Sequence, residues 1–501
     1  MQDKIAQLKA GVAPIVDLTR ALMILQWDQE TMMPPGGAAT RGEMFSTLGG
    51  LIHRFTIDPA VGALLKELEP LLDQLDFDSD EAAMIRLAMR EYRRRAAVPI
   101  ELTMEIYGTM ALAMQAWKEA RTKNQFALFE PLLAKTVELQ VKQARYLQPD
   151  GNPYDALLDL YEPGMTYEQI NAVFSALKPG LIELVKAIAS RADRVDDSPL
   201  HRPVAPERQI AFARAVAARI GFDFSRGRLD LSAHPFTSGS GQGDARITTR
   251  VDPDFLPACL MSVIHEAGHG MHLQNINPAL NRTGLDMFST MAIAESQSRF
   301  YENIIGRSRP FWRYFYPQLQ AAFAPAFDDV DMETFYRAIN KSQPSLIRVE
   351  ADEVTYGLHI ILRFELENDL INGRVSVSDL PKEWNARMEA YLGVVPPTDS
   401  EGVLQDIHWS QGNIGYFPDY LLGSLLAAQL WEKMQQDIPD VLAQVEAGQF
   451  KAVLDWNREK VMQYGQKYTL QELCERAVGG PLRWEPYLNY LRAKYSEIYE
   501  L

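Results

Sequence analysis

Residues 251–272 of this 501-residue chain read VDPDFLPACLMSVIHEAGHGMH. Their apolar residues recur at helical spacing, and Asp252 followed by Pro253 is typical of a helix N-cap and a first helical position. We therefore expect a helix that begins at Asp252 and carries His265 and His269 on one face. The rest of the chain has to place a hydrophobic core and a functional site around this helix.

The spacing of the two histidines indicates a metal site. Imidazoles four residues apart can converge on one zinc ion, while Glu266, turned about 100° around the helix axis, can reach a water molecule at the metal. In a chain with 8 histidines, a chance match to this pattern has odds of about one in a hundred. The alternative, that both histidines are only packing or surface residues, is much the weaker one.

Such a site needs a third protein ligand. His272 lies roughly 10 Å along the axis from His265, too far to share one ion, so we expect it to be a packing or site-wall residue. The extended motif with a third histidine beyond a glycine is absent, because Asn275 stands where that histidine would be. Glu295 interrupts a small and apolar helix, where a cation would stabilise its charge. Glu302, two turns later, is the competing candidate, which we expect to be solvated or salt-bridged.

The chain around this helix is predicted to be mainly helical. Apolar residues follow a helical period in residues 81–95, 102–121, 126–146, 167–191 and 208–220. Residues 228–237 and 245–251 are predicted as two strands of a hairpin, with 238–243 as a flexible loop. An exposed strand edge beside a metal can pair with an extended peptide, so the hairpin's position suits a peptidase.

Composition excludes several other classes of protein. The 50 basic and 66 acidic residues give a net charge of −16, which argues against nucleic-acid binding. Cys259 and Cys474 lie in apolar contexts, and we expect buried, reduced thiols. The N-terminal residues do not resemble a secretory signal, and the longest apolar stretch, around 421–431, is too short to span a membrane. We therefore expect a soluble cytoplasmic protein.

Polar residues elsewhere are candidates for substrate binding. Arg348 and Arg246 are rival bidentate clamps for a substrate carboxylate, although Arg348 could equally pair with a nearby acid. His408, Tyr416 and Tyr420 could stabilise the oxyanion formed when water adds to a carbonyl, although aromatic residues more often serve in packing. The residues alone leave these alternatives open.

Taken together, these motifs resemble the carboxypeptidase Taq family of metallocarboxypeptidases. The matching motifs are His234-Pro235-Phe236, Asp244-x-Arg246-x-Thr248, His265-Glu266-Ala267-Gly268-His269, Glu295-Ser296-Gln297, Ile347-Arg348-x-x-Ala351-Asp352 and Gly402-x-x-Gln405-Asp406-x-His408-Trp409. Residues 27–31, WDQET, also resemble the family. The match therefore covers most of the chain.

The resemblance implies a mainly α, two-lobed fold with a deep central groove and a small β-sheet beside the zinc helix, similar to neurolysin-like and angiotensin-converting peptidases. It implies one catalytic domain over 1–501, with an N-terminal helical lobe (about 1–200), a zinc-site and substrate-binding region (about 228–425) and C-terminal helices (about 426–501). A homodimer is expected.

The resemblance also implies an activity, the release of single C-terminal residues with broad specificity from peptides that have a free C-terminus. It implies one Zn²⁺ per chain, for which Co²⁺ or Mn²⁺ could substitute. The implied metal ligands are His265, His269 and Glu295, with Glu266 as general base and acid. The implied substrate-binding residues are Arg348, Arg246, His234, Gln405 and Asp406, and further catalytic contacts are expected from His408, Tyr416 and Tyr420.

One residue departs from the family pattern. Ala294 stands where the family usually has histidine, before the Glu-Ser-Gln triplet that retains the ligand. Two alternatives to the carboxypeptidase remain at this point. A neurolysin-like oligoendopeptidase would share the metal site without needing a free substrate carboxylate, and a non-enzymatic helical scaffold with a vestigial site would bind no stoichiometric zinc.

Overall fold

The computed structural model describes residues 1–501, and α-helices form most of it. In chain order the first ten helices are α1 Gln2–Thr31, α2 Ala38–Thr56, α3 Pro59–Leu68, α4 Asp80–Ala97, α5 Ile100–Lys123, α6 Glu130–Leu147, α7 Pro153–Leu158, α8 Tyr167–Ala189, α9 Pro206–Ile220 and α10 Leu256–Gln274. The remaining ten are α11 Met291–Arg299, α12 Arg309–Phe323, α13 Met332–Ile339, α14 Tyr356–Ile371, α15 Leu380–Leu392, α16 Pro418–Asp437, α17 Val441–Glu446, α18 Lys451–Lys460, α19 Leu470–Val478 and α20 Glu485–Tyr499. The prediction of a mainly helical fold is confirmed.

The five helices predicted from periodicity are all present, with ends that differ by a few residues. The largest difference is in the segment predicted as 126–146, which starts as a 3₁₀ turn, Phe126–Leu128, before α6 begins at Glu130. A π-helical turn, Phe300–Ile305, continues α11. None of the helices combines the length and the hydropathy that crossing a membrane requires. Both cysteines are buried and neither forms a disulfide, as predicted.

The helices and strands form two compact units, each assembled from three stretches of the chain. Unit 1 comprises Met1–Ala96, Asp197–Ile339 and Leu426–Pro481. Unit 2 comprises Ala97–Asp196, Asn340–Leu425 and Leu482–Leu501. Residues far apart in sequence are therefore brought together within each unit.

The β-sheet belongs to unit 1 and has three strands, β1 Gly227–Leu231, β2 Thr237–Gly241 and β3 Asp244–Thr249. The order is β1-β3-β2, with β1 parallel and β2 antiparallel to β3. The predicted hairpin of 228–237 with 245–251 is therefore wrong in its pairing, because β3 forms its hairpin with β2. Most of β2 comes from the glycine-rich stretch that the sequence predicts as a loop.

A glycine explains why this polar stretch can act as a strand. At Gly239 the backbone φ is +147° and the strand pairing shifts register before Gly241. A Cβ at Gly239 would lie 2.0 Å from the carbonyl oxygen of Asp244, so only glycine fits this bulge. The strand predicted to run to residue 237 ends at Leu231, and the chain then turns before β2 begins. In this turn Ser232 Oγ donates to Thr248 Oγ1 at 2.7 Å.

Helix α10 begins at Leu256, so the predicted N-cap at Asp252 is wrong. Asp252 Oδ1 accepts a hydrogen bond from the main-chain N–H of Asp254 at 2.9 Å, which closes a local turn before the helix. Phe255 then has φ −148° and ψ 89°, a non-helical conformation that separates this turn from α10. Pro257 occupies the first turn of the helix, where its missing N–H costs nothing.

Close packing of α10 on α11 positions the site. A Cβ at Gly268, within the His-Glu-Ala-Gly-His motif, would lie 2.7 Å from the carbonyl oxygen of Gln297 and from Cα of Ser298. Only glycine therefore allows the two backbones to approach this closely. The approach brings Glu295, on α11, beside the histidines of α10.

Candidate active site

Three side chains of unit 1 converge as the sequence predicts. His265 and His269 project from α10 and Glu295 projects from α11. Glu295 Oε2 lies 3.8 Å from His265 Nε2 and 3.5 Å from His269 Nε2. One ligand atom from each of the three residues lies within 4.8 Å of the others. Ligands of a tetrahedral zinc ion stand about 3.3 Å apart for bonds of about 2.0 Å, so the donor set fits such an ion.

Neighbouring charged groups orient these three side chains. His265 Nδ1 donates to Glu302 Oε2 at 2.8 Å, which leaves Nε2 facing Glu295. Arg299 Nε donates to Glu295 Oε1 at 2.7 Å, which leaves Oε2 facing the two rings. Glu302 is therefore a hydrogen-bond partner of a ligand, in agreement with the prediction of a salt-bridged residue.

The electrostatics of this cluster favour a cation. Burial lowers the pKa of His265, but the charge of Glu295 and the hydrogen bond to Glu302 outweigh it and raise the pKa to about 9. Burial raises the pKa of Glu302, yet the hydrogen bond from His265 and the charge of Arg299 bring it to about 2. Against the same effect of burial, the charges of Arg299 and His265 hold the pKa of Glu295 well below its usual range. The carboxylates thus stay ionised, and a divalent cation would satisfy them.

Glu266 lies between the two histidines in sequence but is not a member of the ligand set. It is 6% exposed, and Thr237 Oγ1, on β2, donates to its Oε2 at 2.6 Å. The same hydroxyl lies 3.1 Å from the main-chain oxygen of Glu266. The sheet therefore fixes the orientation of this carboxylate, a role for Thr237 for which the sequence gives no signal.

Arg246, on β3, is held at the same sheet. Its Nε and Nη2 donate to the two carboxylate oxygens of Asp244 at 2.8 and 3.1 Å. Its guanidinium carbon lies 4.3 Å from the ring centroid of Trp27, on α1. Nη1 makes no hydrogen bond within the chain, and the side chain is 18% exposed. His234 is exposed in the turn between β1 and β2.

A second buried charged group belongs to unit 2. Arg348 Nε and Nη2 both donate to Asp406 Oδ1, at 3.1 and 2.8 Å, and its Nη1 donates to Tyr356 OH at 3.0 Å. Arg363 Nε donates to the other oxygen, Oδ2, at 2.7 Å, and its Nη2 lies 2.6 Å from the same oxygen in an ion pair. Of the two alternatives for Arg348, the structure thus contains the pairing with an acid. Arg363 was missed, although an arginine inside the apolar run of α14 is a signal of a buried ion pair.

Gln405 forms hydrogen bonds with both arginines of this cluster. Its Oε1 accepts from the main-chain N–H of Arg348 and from Arg363 Nη2, both at 2.8 Å. Burial raises the pKa of Asp406, but the two arginines hold it well below its usual range. Burial lowers the pKa of Arg363 to about 10 in spite of Asp406. Two guanidiniums share one carboxylate here, so the group carries a net positive charge.

His408, Tyr416 and Tyr420 form an aromatic cluster in the same unit. The rings of His408 and Tyr416 are 5.5 Å apart, and those of Tyr416 and Tyr420 are 5.3 Å apart. His408 Nε2 lies 3.4 Å from Tyr420 OH. Burial lowers the pKa of His408 to about 4, with the two arginine charges acting in the same direction and Asp406 opposing them. The neutral imidazole is therefore the favoured form.

Two further residues near the candidate metal ligands, His272 and Ala294, are buried. His272 is fully buried and its Nε2 lies 3.2 Å from Ser289 Oγ, away from the ligand set, as predicted for a packing residue. Ala294, at the position where the family usually has histidine, is buried at 3% exposure.

The geometry of α10 and α11 defines a class of protein. Two imidazoles one helical turn apart, a carboxylate from a second helix and an oriented glutamate that is not a ligand are the parts of a metallopeptidase centre with the His-Glu-x-x-His motif.

Comparison with known proteins agrees with this class. The model of the carboxypeptidase Taq (M32) metallopeptidase family matches residues 7–495. Carboxypeptidase 1 of Bacillus subtilis is 39% identical over 483 residues, 96% of each chain. The solved carboxypeptidase of Pyrococcus furiosus superposes with a TM-score of 0.96 at 36% identity over 99% of each chain. The M32 carboxypeptidase of Deinococcus radiodurans gives 0.95 at 37% identity over 100% of each chain.

The chain belongs to the carboxypeptidase Taq (M32) family of metallopeptidases. It is a metallocarboxypeptidase and hence a peptide hydrolase. The resemblance stated from the motifs is confirmed, and the endopeptidase and scaffold alternatives are not favoured.

Proposed function

We propose that the chain releases single C-terminal residues from peptides with broad preference, with one zinc ion held by His265, His269 and Glu295. The observation that carries this proposal is the convergence of those three ligand atoms within 4.8 Å, beside a glutamate that is not a ligand. The mixed imidazole and carboxylate donors favour zinc, and cobalt or manganese could occupy the same geometry.

Glu266 is the proposed proton carrier. Its carboxylate takes a proton from the attacking water and then gives it to the leaving amine. Thr237 keeps Oε2 in a fixed direction, so the carboxylate needs no reorientation between the two transfers. A bound divalent metal would supply Lewis-acid polarisation of the scissile carbonyl and a more acidic water.

The proposed substrate-binding residues differ in how free they are to contact a ligand. Arg246 has Nη1 without a partner in the chain, which favours it as the direct contact for the substrate's terminal carboxylate. All three guanidinium nitrogens of Arg348 are engaged, which favours a role through the positive charge of its cluster. Gln405 and Asp406 would act by holding that cluster, and His234 by contacting substrate from its exposed turn.

The aromatic cluster of unit 2 supplies the remaining catalytic candidates. We assign His408, Tyr416 and Tyr420 to contacts with the substrate or with the developing oxyanion. Two features support this assignment: the hydroxyl of Tyr420 is a donor, and the imidazole of His408 is neutral near pH 7.

The test is digestion of a defined peptide and its C-terminally amidated form, with products followed by mass. Stepwise loss of single residues from the free peptide only, abolished by a chelator and restored by zinc, is the expected result. Equal cleavage of the amidated peptide would indicate an endopeptidase. Absence of both stoichiometric metal and cleavage would indicate a scaffold.

Three further statements stay predictions. We expect the whole chain, 1–501, to act as one catalytic domain, a homodimer in solution, and a cytoplasmic location. Light scattering coupled to size exclusion tests the dimer.

A further inference from the structure

Glu367, on α14, is a buried carboxylate to which the mechanism above gives no role. It is 0% exposed. Trp409 Nε1 donates to its Oε1 at 2.7 Å, and Tyr154 OH and the main-chain N–H of Gly415 donate to its Oε2 at 2.7 and 2.9 Å. Burial of a carboxylate is costly unless donors surround it. These three donors thus join α14 to α7 and to the segment 409–415.

The two donors from this segment stand at its two ends. His408 directly precedes Trp409, and Tyr416 directly follows Gly415. The rings of His408 and Tyr416 are 5.5 Å apart. One carboxylate therefore anchors both points from which these two side chains project.

The backbone at Gly415 leaves little freedom for another arrangement. Its φ is +93°, and a Cβ there would lie 2.9 Å from the main-chain carbon and oxygen of Leu157 on α7. The segment is thus pressed against the helix that also supplies Tyr154, and its N–H points at Glu367. Only glycine allows this approach.

All three partners donate, which suits a carboxylate that accepts through both of its oxygens. The indole N–H of Trp409 and the amide N–H of Gly415 cannot accept a hydrogen bond. An amide in place of the carboxylate would turn an NH₂ group toward at least one of these donors. Replacement of Glu367 by glutamine would therefore loosen the segment while keeping the size of the side chain.

We propose that Glu367 is a positioning residue, which holds segment 409–415 so that His408 and Tyr416 keep the orientation in which they contact the substrate. This inference rests on the function proposed above for those two side chains. Glu367 itself touches neither substrate nor metal.

The test compares two variants that each remove one hydrogen bond to the same carboxylate. Trp409→Phe removes the hydrogen bond between Glu367 and one end of the segment. Tyr154→Phe removes the hydrogen bond from α7 and leaves both hydrogen bonds to the segment in place. We expect kcat to fall about tenfold in Trp409→Phe, and to stay within about twofold of the parent enzyme in Tyr154→Phe. Both variants should keep KM and metal content, and Trp409→Phe should lose more thermal stability because it also replaces a buried indole by a smaller ring.

Glu367→Gln turns an amide NH₂ toward the donor at one end of the segment, and we expect a fall in kcat similar to that of Trp409→Phe. A purely structural role predicts losses of stability with unchanged kcat in all three variants, and that result would overturn the proposal. If Glu367→Gln fails to fold, the Trp409→Phe and Tyr154→Phe pair still decides.

Two more variants distinguish the positioning role of Glu367 from the proposed substrate contacts of His408 and Tyr416. If His408→Gln and Tyr416→Phe both keep full kcat, the assigned role of those side chains is wrong and the positioning role falls with it. If they lower kcat while Trp409→Phe and Glu367→Gln do not, the positioning role alone is wrong.

Discussion

Two buried charged clusters of this protein, one in each unit, have opposite compositions. In unit 1 the histidines of α10 face the carboxylates of Glu295 and Glu302, with Arg299 as the near guanidinium. In unit 2 two guanidiniums, Arg348 and Arg363, share the single carboxylate of Asp406.

The difference shows what each cluster can accept from outside the chain. The first keeps ionised carboxylates and imidazoles within reach of one point, which stabilises an added cation. The second has one positive charge more than its acid neutralises, which stabilises an added anion. A substrate carboxylate is such an anion, and a divalent metal is such a cation.

The largest expected effect is on Glu266 in the first cluster. Glu266→Gln removes the proposed proton carrier but none of the proposed metal ligands, so we expect kcat to fall about 10³- to 10⁴-fold with metal content unchanged. Steady-state kinetics and metal analysis of the same sample measure both quantities. Glu446→Gln, which changes an exposed carboxylate of unit 1, serves as the control. Full activity of Glu266→Gln would remove Glu266 from the mechanism.

Substitutions in the second cluster should mainly change the free energy of unfolding. Asp406→Asn leaves two buried guanidiniums without their counter-charge, and we expect the free energy of unfolding to fall by about 3–5 kcal/mol. Urea titration measures it. Asp329→Asn breaks the ion pair with Arg202, in which Asp329 is 72% exposed, and should lower the free energy of unfolding far less, because solvent screens this pair. Equal losses in the two variants would contradict a buried charge imbalance.

The neutral imidazole of His408 predicts a pH dependence. Its pKa in the folded chain is about 4, against an ordinary value of 6.5 for histidine. As pH falls from about 6.5 to about 4, the unfolded chain binds a proton that the folded chain does not, so stability decreases, by up to about 3 kcal/mol. Urea titrations across this range should show a smaller decrease for His408→Gln. Identical curves for the two proteins would mean that His408 is not held neutral.

The smallest expected effect is on the partner of a metal ligand. Glu302→Gln removes the ionised acceptor of the His265 Nδ1 proton, and we expect metal affinity to fall about 10- to 100-fold. Competition with a chromogenic chelator measures it, and kcat at saturating metal should stay close to that of the parent enzyme. An unchanged affinity would show that the hydrogen bond at 2.8 Å does not tune the site.

The sequence predicts one cluster far better than the other. His265 and His269 lie on one helix, so their spacing alone sets their relative geometry. Glu295 could be chosen because a lone carboxylate in a small apolar helix needs a cation. Arg348 was a candidate from its residue type and Asp406 from the resemblance to a family. Neither route supplied Arg363, because the identity of a buried ion partner depends on how distant helices pack.

The errors in the fold have the same kind of cause. The helical segments follow a period that side-chain burial imposes locally, so they are predicted well. The pairing of β2 with β3 depends on a bulge at Gly239 that no local pattern reports, and the polar stretch was therefore predicted as a loop. Likewise, Asp252 has the right chemistry for a cap, but the conformation of Phe255 decides where α10 begins.

The π-helical turn Phe300–Ile305 contains Glu302, the hydrogen-bond partner of His265. This hydrogen bond therefore depends on the number of residues between Glu295 and Glu302. A π turn accommodates an extra residue within an otherwise α-helical path. Loss of Phe300 or Tyr301 would restore a regular helix and turn Glu302 and each later side chain by about 100° relative to Glu295. Evolution could therefore detach Glu302 from His265 by a single codon deletion, without exchanging either amino acid.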